Sequence, residues 1–556
     1  MKNKLSLFFL IYNVVFSGYS QARNAPSEEV LSLPLFSKKM VVAHNMTHLI
    51  YAKGFDTRQK PKSYYNADGK ISNLGGSQQY ATMISLLGNK KSLEKTVEFE
   101  MRTALKLGVD GFQFFYPADG NEELLIKMDQ IILAYFKVAE KKNIDFKFSI
   151  SICVPNVWED YTQVDIEDFL SKHIKYLVSK TKKSTKWLKS PDGRYVFFLW
   201  VPDGIYQGLQ GKHWLAYKSP QFIDGAANAY YNISKKAGID IAYVYHVRWP
   251  EKKEYMDAVL KNYPAIWGWT RGLEISESMK NLAKRCKIEK RTYTQTVYPD
   301  YYTSKLYEKA KMSNHYGNMI HNFDYLTGMK PTEVERHAQV LDLSRTYRTL
   351  LQEAVDNDAD MINFVTWNDY PEGHHLAPEI NHNFGFAVLL KYYKDVWIQN
   401  RKIPETEVAV VFYKKYPFKI KPLLFDIDVY QKHSVVPGEA EDKIEVVTLL
   451  KEAAEVFCNG IKIGDGIAGI NVHFSPMTIG KVSVSVKRRG EEILSVDPSE
   501  WITDAPFRTD RLTYSYSSEF DTYFKEVFGE NMIAPKSDQY VKLPGKEVNW
   551  KYLLKK

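Results

Sequence analysis

The run Met361-Ile362-Asn363-Phe364-Val365-Thr366 passes directly into Trp367-Asn368-Asp369-Tyr370-Pro371-Glu372-Gly373-His374-His375-Leu376-Ala377-Pro378-Glu379. Its first six residues are mostly apolar and partly β-branched, the composition of a buried strand. The pattern then stops. Trp, Asn, Asp, Tyr, Glu and two His crowd the carboxyl end, and Pro371 and Gly373 break any regular continuation. A buried strand that empties ionisable and aromatic groups into a loop has the layout of an active site in a barrel of parallel strands. Loops at strand ends are often merely polar, so the residue types matter. Asp369 and Glu372 are carboxylates three residues apart, and paired carboxylates in different environments can divide acid and base work.

Working outward from this stretch, apolar strand-like runs alternate with segments of helical spacing. Strands are expected over 39–45, 109–117, 146–154, 195–201, 239–249, 265–270, 291–297 and from 361. Helices are expected over 91–107, 122–141, 166–178, 220–237, 275–286, 331–355 and 387–400. Eight strands alternating with helices is the count of a (β/α)8 barrel of the TIM type, an α/β fold. An open doubly wound sheet would show a glycine-rich phosphate turn after an early strand, and Gly75-Gly76 is too isolated to be one. From about Lys402 short β-rich runs replace helices, with turn signals at Asn459-Gly460 and Arg489-Gly490. This pattern predicts a C-terminal β-sandwich domain. The expected organisation is a signal peptide over 1–22, a catalytic barrel over 23–400 and a β-sandwich accessory domain over 401–556. Residues 509–528, rich in Tyr and Phe, are expected to fold back onto the barrel.

The composition, 44% hydrophobic and 25% charged over 556 residues, is that of an ordinary globular protein of two or three domains. Aromatics reach 14%, with 38 Tyr and 11 Trp, which suits stacking on sugar rings as well as aromatic cores. The net charge is +9, but the basic residues are dispersed and no arginine-rich run is interleaved with aromatics, so nucleic acid is not an expected partner. Lys2 and Lys4, an apolar run over 5–16 and Ser20-Gln21-Ala22 have the order of a signal peptide cleaved near Ala22, giving a secreted or periplasmic protein. No later stretch has the length of a membrane span. Cys153, Cys286 and Cys458 share no metal-like spacing and allow at most one bridge, so stability rests on core burial.

In a barrel, polar and aromatic residues at the strands' carboxyl ends share one face. His44, Asn45, Gln113, Tyr116, Trp200, His246, Arg248, Trp267, Trp269, Tyr298, Asp300 and Tyr301 would then ring Asp369 and Glu372. Trp and Tyr offer faces to sugar C–H groups, and Asn, His and Arg offer hydrogen bonds to hydroxyls. Each alone is as readily a core aromatic or a satisfied core histidine; their convergence carries the reading. Of these, His44, Asn45, Tyr116, Trp200, His246, Trp269, Tyr298 and Asp300 are taken as substrate-binding, with Trp367, Asn368 and His374 of the loop itself.

Trp367-Asn368-Asp369-Tyr370-Pro371-Glu372-Gly373-His374, with Val42-Ala43-His44 and Leu107-Gly108-Val109-Asp110-Gly111-Phe112, resembles glycoside hydrolase family 71, the α-1,3-glucanases or mutanases. The resemblance continues through Ile444-Glu445-Val446-Val447-Thr448-Leu449-Leu450, Ile467-Ala468-Gly469-Ile470 and Val482-Ser483-Val484. A weaker one links the chain to family 99, the endo-α-mannosidases and mannanases, where two Glu stand in place of Asp369 and Glu372. The family usually has Gly at position 371 and Ser at position 373. The resemblance implies an α-glucan substrate, no cofactor, an inverting mechanism, Glu372 as general acid and Asp369 as general base. An inverting pair sits about 6.5–9.5 Å apart to admit a water; the link through Pro371 can reach that distance if extended, and cannot if curled into a helical turn.

Two other classes compete. Glu372, His374, His375, Glu379 and His382 could mark a metal hydrolase, but helical zinc sites want His at i and i+4 and these two His are adjacent; no metal is expected. A non-catalytic glycan-binding barrel would keep the aromatic rim without depending on both carboxylates. Within the glycosidases, an enzyme acting on α-mannan is the alternative.

Overall fold

The structure is a computed structural model that describes residues 26–52, 55–56, 92–118, 120–154, 162–206, 219–269, 276–302, 307–309, 334–340, 342–379, 381–420, 428–431, 442–504 and 512–530. Eight parallel strands close a barrel: β1 (Val41–Asn45), β2 (Gly111–Pro117), β3 (Lys147–Cys153), β4 (Tyr195–Trp200), β5 (Ile241–Val247), β6 (Ala265–Gly268), β7 (Thr292–Val297) and β8 (Met361–Phe364). β8 closes the ring between β7 and β1, with Val41 opposite Ile362 and Met361 opposite Thr294. Each strand is followed by a helix: α1 (Leu93–Lys106), α2 (Glu122–Lys141), α3 (Gln163–Thr181), α4 (Pro220–Ala237), α5 (Lys253–Asn262), α6 (Ser276–Ile288), α7 (Arg345–Asp356) and α8 (Gly385–Gln399).

Local chemistry sets the helix ends. Ser92 and Asn121 cap α1 and α2 with side-chain oxygens, and Thr162 with Asp165 forms a capping box on α3. α4 opens on Pro220 and closes on Gly238 at φ 69°, a left-handed conformation that favours glycine. Alternation along each strand builds two cores. Val42, Val196, Phe198, Ala242, Val244, Ala265 and Met361 fill the barrel interior, and Gln113 hydrogen-bonds Asn363 across it. Val41, Ala43, Phe112, Phe114, Phe197, Tyr243 and Ile362 face the helices.

Two expectations are corrected. The helix expected over 331–355 is a strand over Val334–Val340 followed by α7. The strand pairs with Tyr301–Tyr302 and Tyr307–Glu308 in the β7 loop and with Asp428–Gln431 beyond the barrel, so tertiary pairing overrides local helical spacing. α5, between β5 and β6, completes the alternation where no helix was expected. The proposed signal segment, 1–22, and most of the strand run over 423–430 lie outside the described residues. Cys153, Cys286 and Cys458 are all buried and unbridged. Among the described residues no helix is long and apolar enough to cross a membrane.

Beyond the barrel lie β9 (Val408–Lys414), β10 (Lys443–Leu450), β11 (Ala454–Cys458), β12 (Ile461–Gly466), β13 (Gly469–Pro476), β14 (Val484–Arg488), β15 (Glu491–Val496) and β16 (Thr513–Ser517). They form two antiparallel sheets, β13-β10-β9-β16 and β12-β11-β14-β15. Asn459-Gly460 and Arg489-Gly490, all at positive φ, turn the two hairpins of the second sheet. The first sheet's strands β9, β10 and β16 are buried on both faces, which explains the unbroken apolar run Val408 to Tyr413. Val411, Tyr413 and Val446 pack into the sandwich; Val410, Phe412 and Val447 join the barrel's helical layer. Buried Glu445 ties the seam, accepting from Ser344 N–H and Oγ at 2.9 Å each and from Arg348 at 2.6 Å. A last helix, α9 (Phe520–Phe528), folds back onto the barrel, where Tyr523 stacks on Phe384 and its hydroxyl accepts from Lys391.

Candidate active site

Pleat parity decides which side chains reach the barrel mouth. His44 continues the inward series of Val42, Trp200 that of Val196 and Phe198, and His246 that of Ala242 and Val244. These three, with Trp267 and Trp269 at the end of β6, form one connected aromatic surface. His44 meets Trp200 edge-on at 5.5 Å, Trp200 stacks on His246 at 5.1 Å with planes 8° apart, and Trp269 lies 5.1 Å from Trp200. Trp200 and Trp269 are half-buried, as residues lining an open mouth are.

After β8 the loop is pinned before it turns. Trp367 N–H donates to His44 O at 2.7 Å, Thr366 N–H to His374 O at 2.9 Å, and Asp369 N–H to Thr366 Oγ1 at 2.8 Å. Tyr370–Glu372 then form one turn of 3-10 helix with Asp369 at its head, and Gly373 exits at φ 73°. The link is thus curled rather than extended, the case expected to fall short of the inverting distance. The turn puts Asp369, Glu372 and His374 together, one donor atom of each within 4.8 Å of the others. His374 Nε2 lies 3.0 Å from Glu372 Oε2 and 3.8 Å from Asp369 Oδ2. Its ring is gripped by Tyr301, stacked at 5.4 Å and 11°, and by Trp269, edge-on at 5.1 Å. Tyr298 is buried beside Trp269 at 6.2 Å.

Burial, and then the neighbouring His374, His246 and His48, push His44 down to about 3, so its ring is neutral throughout the ordinary pH range. Neither of its ring nitrogens has a hydrogen-bond partner among the described residues, nor does the Trp269 indole N–H. All three atoms are shielded from solvent beneath the aromatic surface.

Five expected rim residues are placed elsewhere. Tyr116 follows Phe112 and Phe114 outward, and its hydroxyl donates to Asp129 of α2 at 2.7 Å. Asn45 is also on the outward parity; with Trp367 and Tyr135 it faces the buried carboxyl of Glu100 on α1. Trp367 packs on Phe112 at 5.4 Å in the helical layer. Asn368 staples the loop to the end of β1, accepting from Met46 N–H at 2.7 Å. Asp300 turns towards β16, where it accepts from Thr513 Oγ1 at 2.7 Å. In the first two cases a strand cannot send neighbours of opposite parity to the same face. The other three lie in loops, where side-chain direction follows contacts that no local pattern records.

The sequence pattern that describes Glycosyl hydrolase family 71 matches residues 80–513, more than half of the chain. The chain belongs to glycosyl hydrolase family 71. No curated protein matches the sequence. Solved structures match the chain only at low identity. A GH99 endo-α-mannosidase from Bacteroides thetaiotaomicron matches at 10% identity and a TM-score of 0.38, over 66% of this chain and 99% of that one. A glycosyl hydrolase family 2 member from Bacteroides cellulosilyticus matches at 10% and 0.41, over 83% and 46%. A β-glucuronidase from Bacteroides uniformis matches at 12% and 0.38, over 76% and 44%.

In this family 71 chain, Asp369, Glu372 and His374 form the one group among the described residues whose spacing would suit a divalent cation. His375 and His382, which the sequence suggests as further ligands, instead stack on each other at 4.6 Å. Sequence reading missed Glu100, whose carboxyl is raised to about 7 by burial, against the opposing hydrogen bond of Tyr135 and the nearby polar groups of Asn45 and Trp367. Its signal was there: Glu100 falls with Val97, Met101 and Ala104 on the apolar stripe of α1.

Proposed function

We propose that this family 71 chain hydrolyses α-1,3-glucan, with Glu372 as general acid, Asp369 as general base and inversion at the anomeric carbon. Cleaving an acetal requires protonating the leaving oxygen while a water is activated, which two carboxyl groups can share. The observation that carries the reading is the pair itself: Asp369 and Glu372 meet at the carboxyl end of β8 within a mouth walled by Trp200 and Trp269. Flat indole faces suit sugar C–H groups, and the buried, unpartnered nitrogens of His44 suit a sugar hydroxyl that enters beside them. Trp200, His246, Trp269, Tyr298 and His374 complete the substrate surface.

The nearest carboxylate oxygens lie within 4.8 Å, and each carboxyl carbon stands about 1.2 Å behind its oxygen. The carboxyl carbons are therefore at most about 7 Å apart, a bound that takes in the retaining spacing and only the lower end of the inverting one. The family resemblance carries the choice of inversion, and Glu372 must swing off His374 for a water to enter beside Asp369. Residues 1–22 act as an export signal, giving a secreted or periplasmic enzyme, and residues 401–556 act as its accessory domain.

The test is release of reducing ends from purified α-1,3-glucan and from α-mannan. Release from the glucan alone is expected. Release from the mannan alone would move the substrate assignment to the family 99 type. Release from neither, with binding retained, would make the barrel a glycan-binding protein.

A further inference from the structure

β16 is an edge strand whose second side is taken up by the barrel's loops. One side pairs with β9. On the other, Ser515 N–H donates to Asn381 O at 2.8 Å, Asn381 Nδ2 donates to Thr513 O at 3.2 Å, and Asn383 Nδ2 donates to Ser515 O at 3.0 Å. Ser515 Oγ also donates to His382 O. The arm that leaves the catalytic loop is thus laid along β16 almost as another strand. Gly385 follows, and a Cβ there would come 2.3 Å from Ser515 Oγ, so the close approach requires glycine.

The same strand holds the β7 loop. Asp300 Oδ2 accepts from Thr513 Oγ1 at 2.7 Å and from Thr513 N–H at 3.3 Å. Thr513 Oγ1 accepts from Lys414 Nζ at 2.8 Å, and that ammonium lies 3.8 Å from Asp300. Asp300, Lys414, Thr513 and Ser515 are all fully buried. A buried ion pair is costly to desolvate and contributes little net stability, and fixing register is the best-attested use of such a pair. Asp300 immediately precedes Tyr301, whose ring stacks on His374. His382, whose carbonyl Ser515 holds, stacks on His375, the neighbour of His374. One strand outside the barrel therefore grips both loops that define where His374 sits.

We propose that Asp300, Thr513 and Lys414 are positioning residues through which β16 fixes Tyr301 on His374, and so sets the geometry of the Asp369–Glu372 pair. The sandwich is then part of the catalytic apparatus rather than a detachable accessory. This rests on the roles given to the pair under Proposed function.

Thr513→Val keeps the side-chain shape and removes the hydroxyl that joins Asp300 to Lys414. In the full chain, kcat on unactivated α-1,3-glucan should fall about tenfold or more, the cost of a small misplacement near the chemistry. KM should stay within about threefold, and Thr513→Ser should restore kcat. The His374 imidazole resonance, assigned by its loss in His374→Gln, should shift in Thr513→Val and return in Thr513→Ser. Ser515→Ala tests the other anchor if Thr513→Val does not fold, and should lower kcat in the same way. A folded Thr513→Val with wild-type kcat and an unmoved resonance would overturn the proposal. So would Thr513→Ser behaving no better than Val, or failure of both Thr513→Val and Ser515→Ala to fold, which would make the seam purely structural. If the wild-type chain cleaves no α-glucan, the resonance alone decides: a shift supports positioning and its absence overturns it, whatever the substrate.

Discussion

His374 Nε2 lies 3.0 Å from the Glu372 carboxylate and 3.8 Å from that of Asp369. One imidazole thus stands between the two groups to which the acid and base roles are given, and it is itself clamped by Tyr301 and Trp269.

Replacing Glu372 with Gln should slow hydrolysis of unactivated glucan by at least about a hundredfold, the lower range for losing acid catalysis. Substrates with a good leaving group need less protonation and should lose less. Asp369→Asn should slow both kinds alike, because water still needs a base. Steady-state kinetics on polymeric glucan and on an aryl glycoside check this; equal losses on both substrates in Glu372→Gln would remove its role as acid.

His44 is held neutral by burial and by the neighbouring histidines, and its unpartnered nitrogens would give a bound sugar a neutral hydrogen bond. Such a bond is worth about 1 kcal/mol, so His44→Phe should lower kcat/KM by about five-fold. The loss should be constant from pH 5 to 8, since the wild-type ring carries no charge in that range. A loss that grows or shrinks steeply across those pH values would show that His44 titrates there.

Glu100 gives a pH dependence of stability with a definite sign. Its folded carboxyl is raised from 4.5 to about 7 by burial, so the folded state holds the proton more tightly than the unfolded one. The resulting stability is complete below pH 4.5 and is lost as pH rises through about 7. Glu353, raised to about 7 mainly by burial, adds to the same trend. In Glu100→Gln the fall in unfolding free energy between pH 5 and 8 should be smaller by on the order of 2 kcal/mol. Denaturant titrations at several pH values read this directly, and parallel curves for wild type and variant would refute it.

Much of the barrel is legible because its signals are periodic. The 3.6-residue stripe of α2 and the Pro220 to Gly238 punctuation of α4 mark those helices at their observed bounds. The strand over Val334–Val340 is not legible, because its pairing partners lie in the β7 loop and near Asp428, far away in sequence. Within the mouth, parity explains the outcome. His44, Trp200 and His246 share the inward register, whereas Asn45 and Tyr116 sit one or three residues out of phase and face α1 and α2. A stricter reading of alternation would have separated them. Asp300, Asn368 and Trp367 had no such signal: their directions are set by Thr513, Met46 and Phe112, each distant in sequence. The curled link from Asp369 to Glu372 is compatible with Pro371, because Pro is well suited to the first turn, where its missing N–H costs nothing.

The central claim is that Asp369 and Glu372 cleave an α-glucan by direct attack of water. The most direct test is the anomeric form of the first sugar released by the wild-type enzyme from α-1,3-glucan, followed by proton NMR before mutarotation. The account expects the β-anomer. The α-anomer would contradict it, meaning that the close spacing of Asp369 and Glu372 serves a retaining mechanism instead.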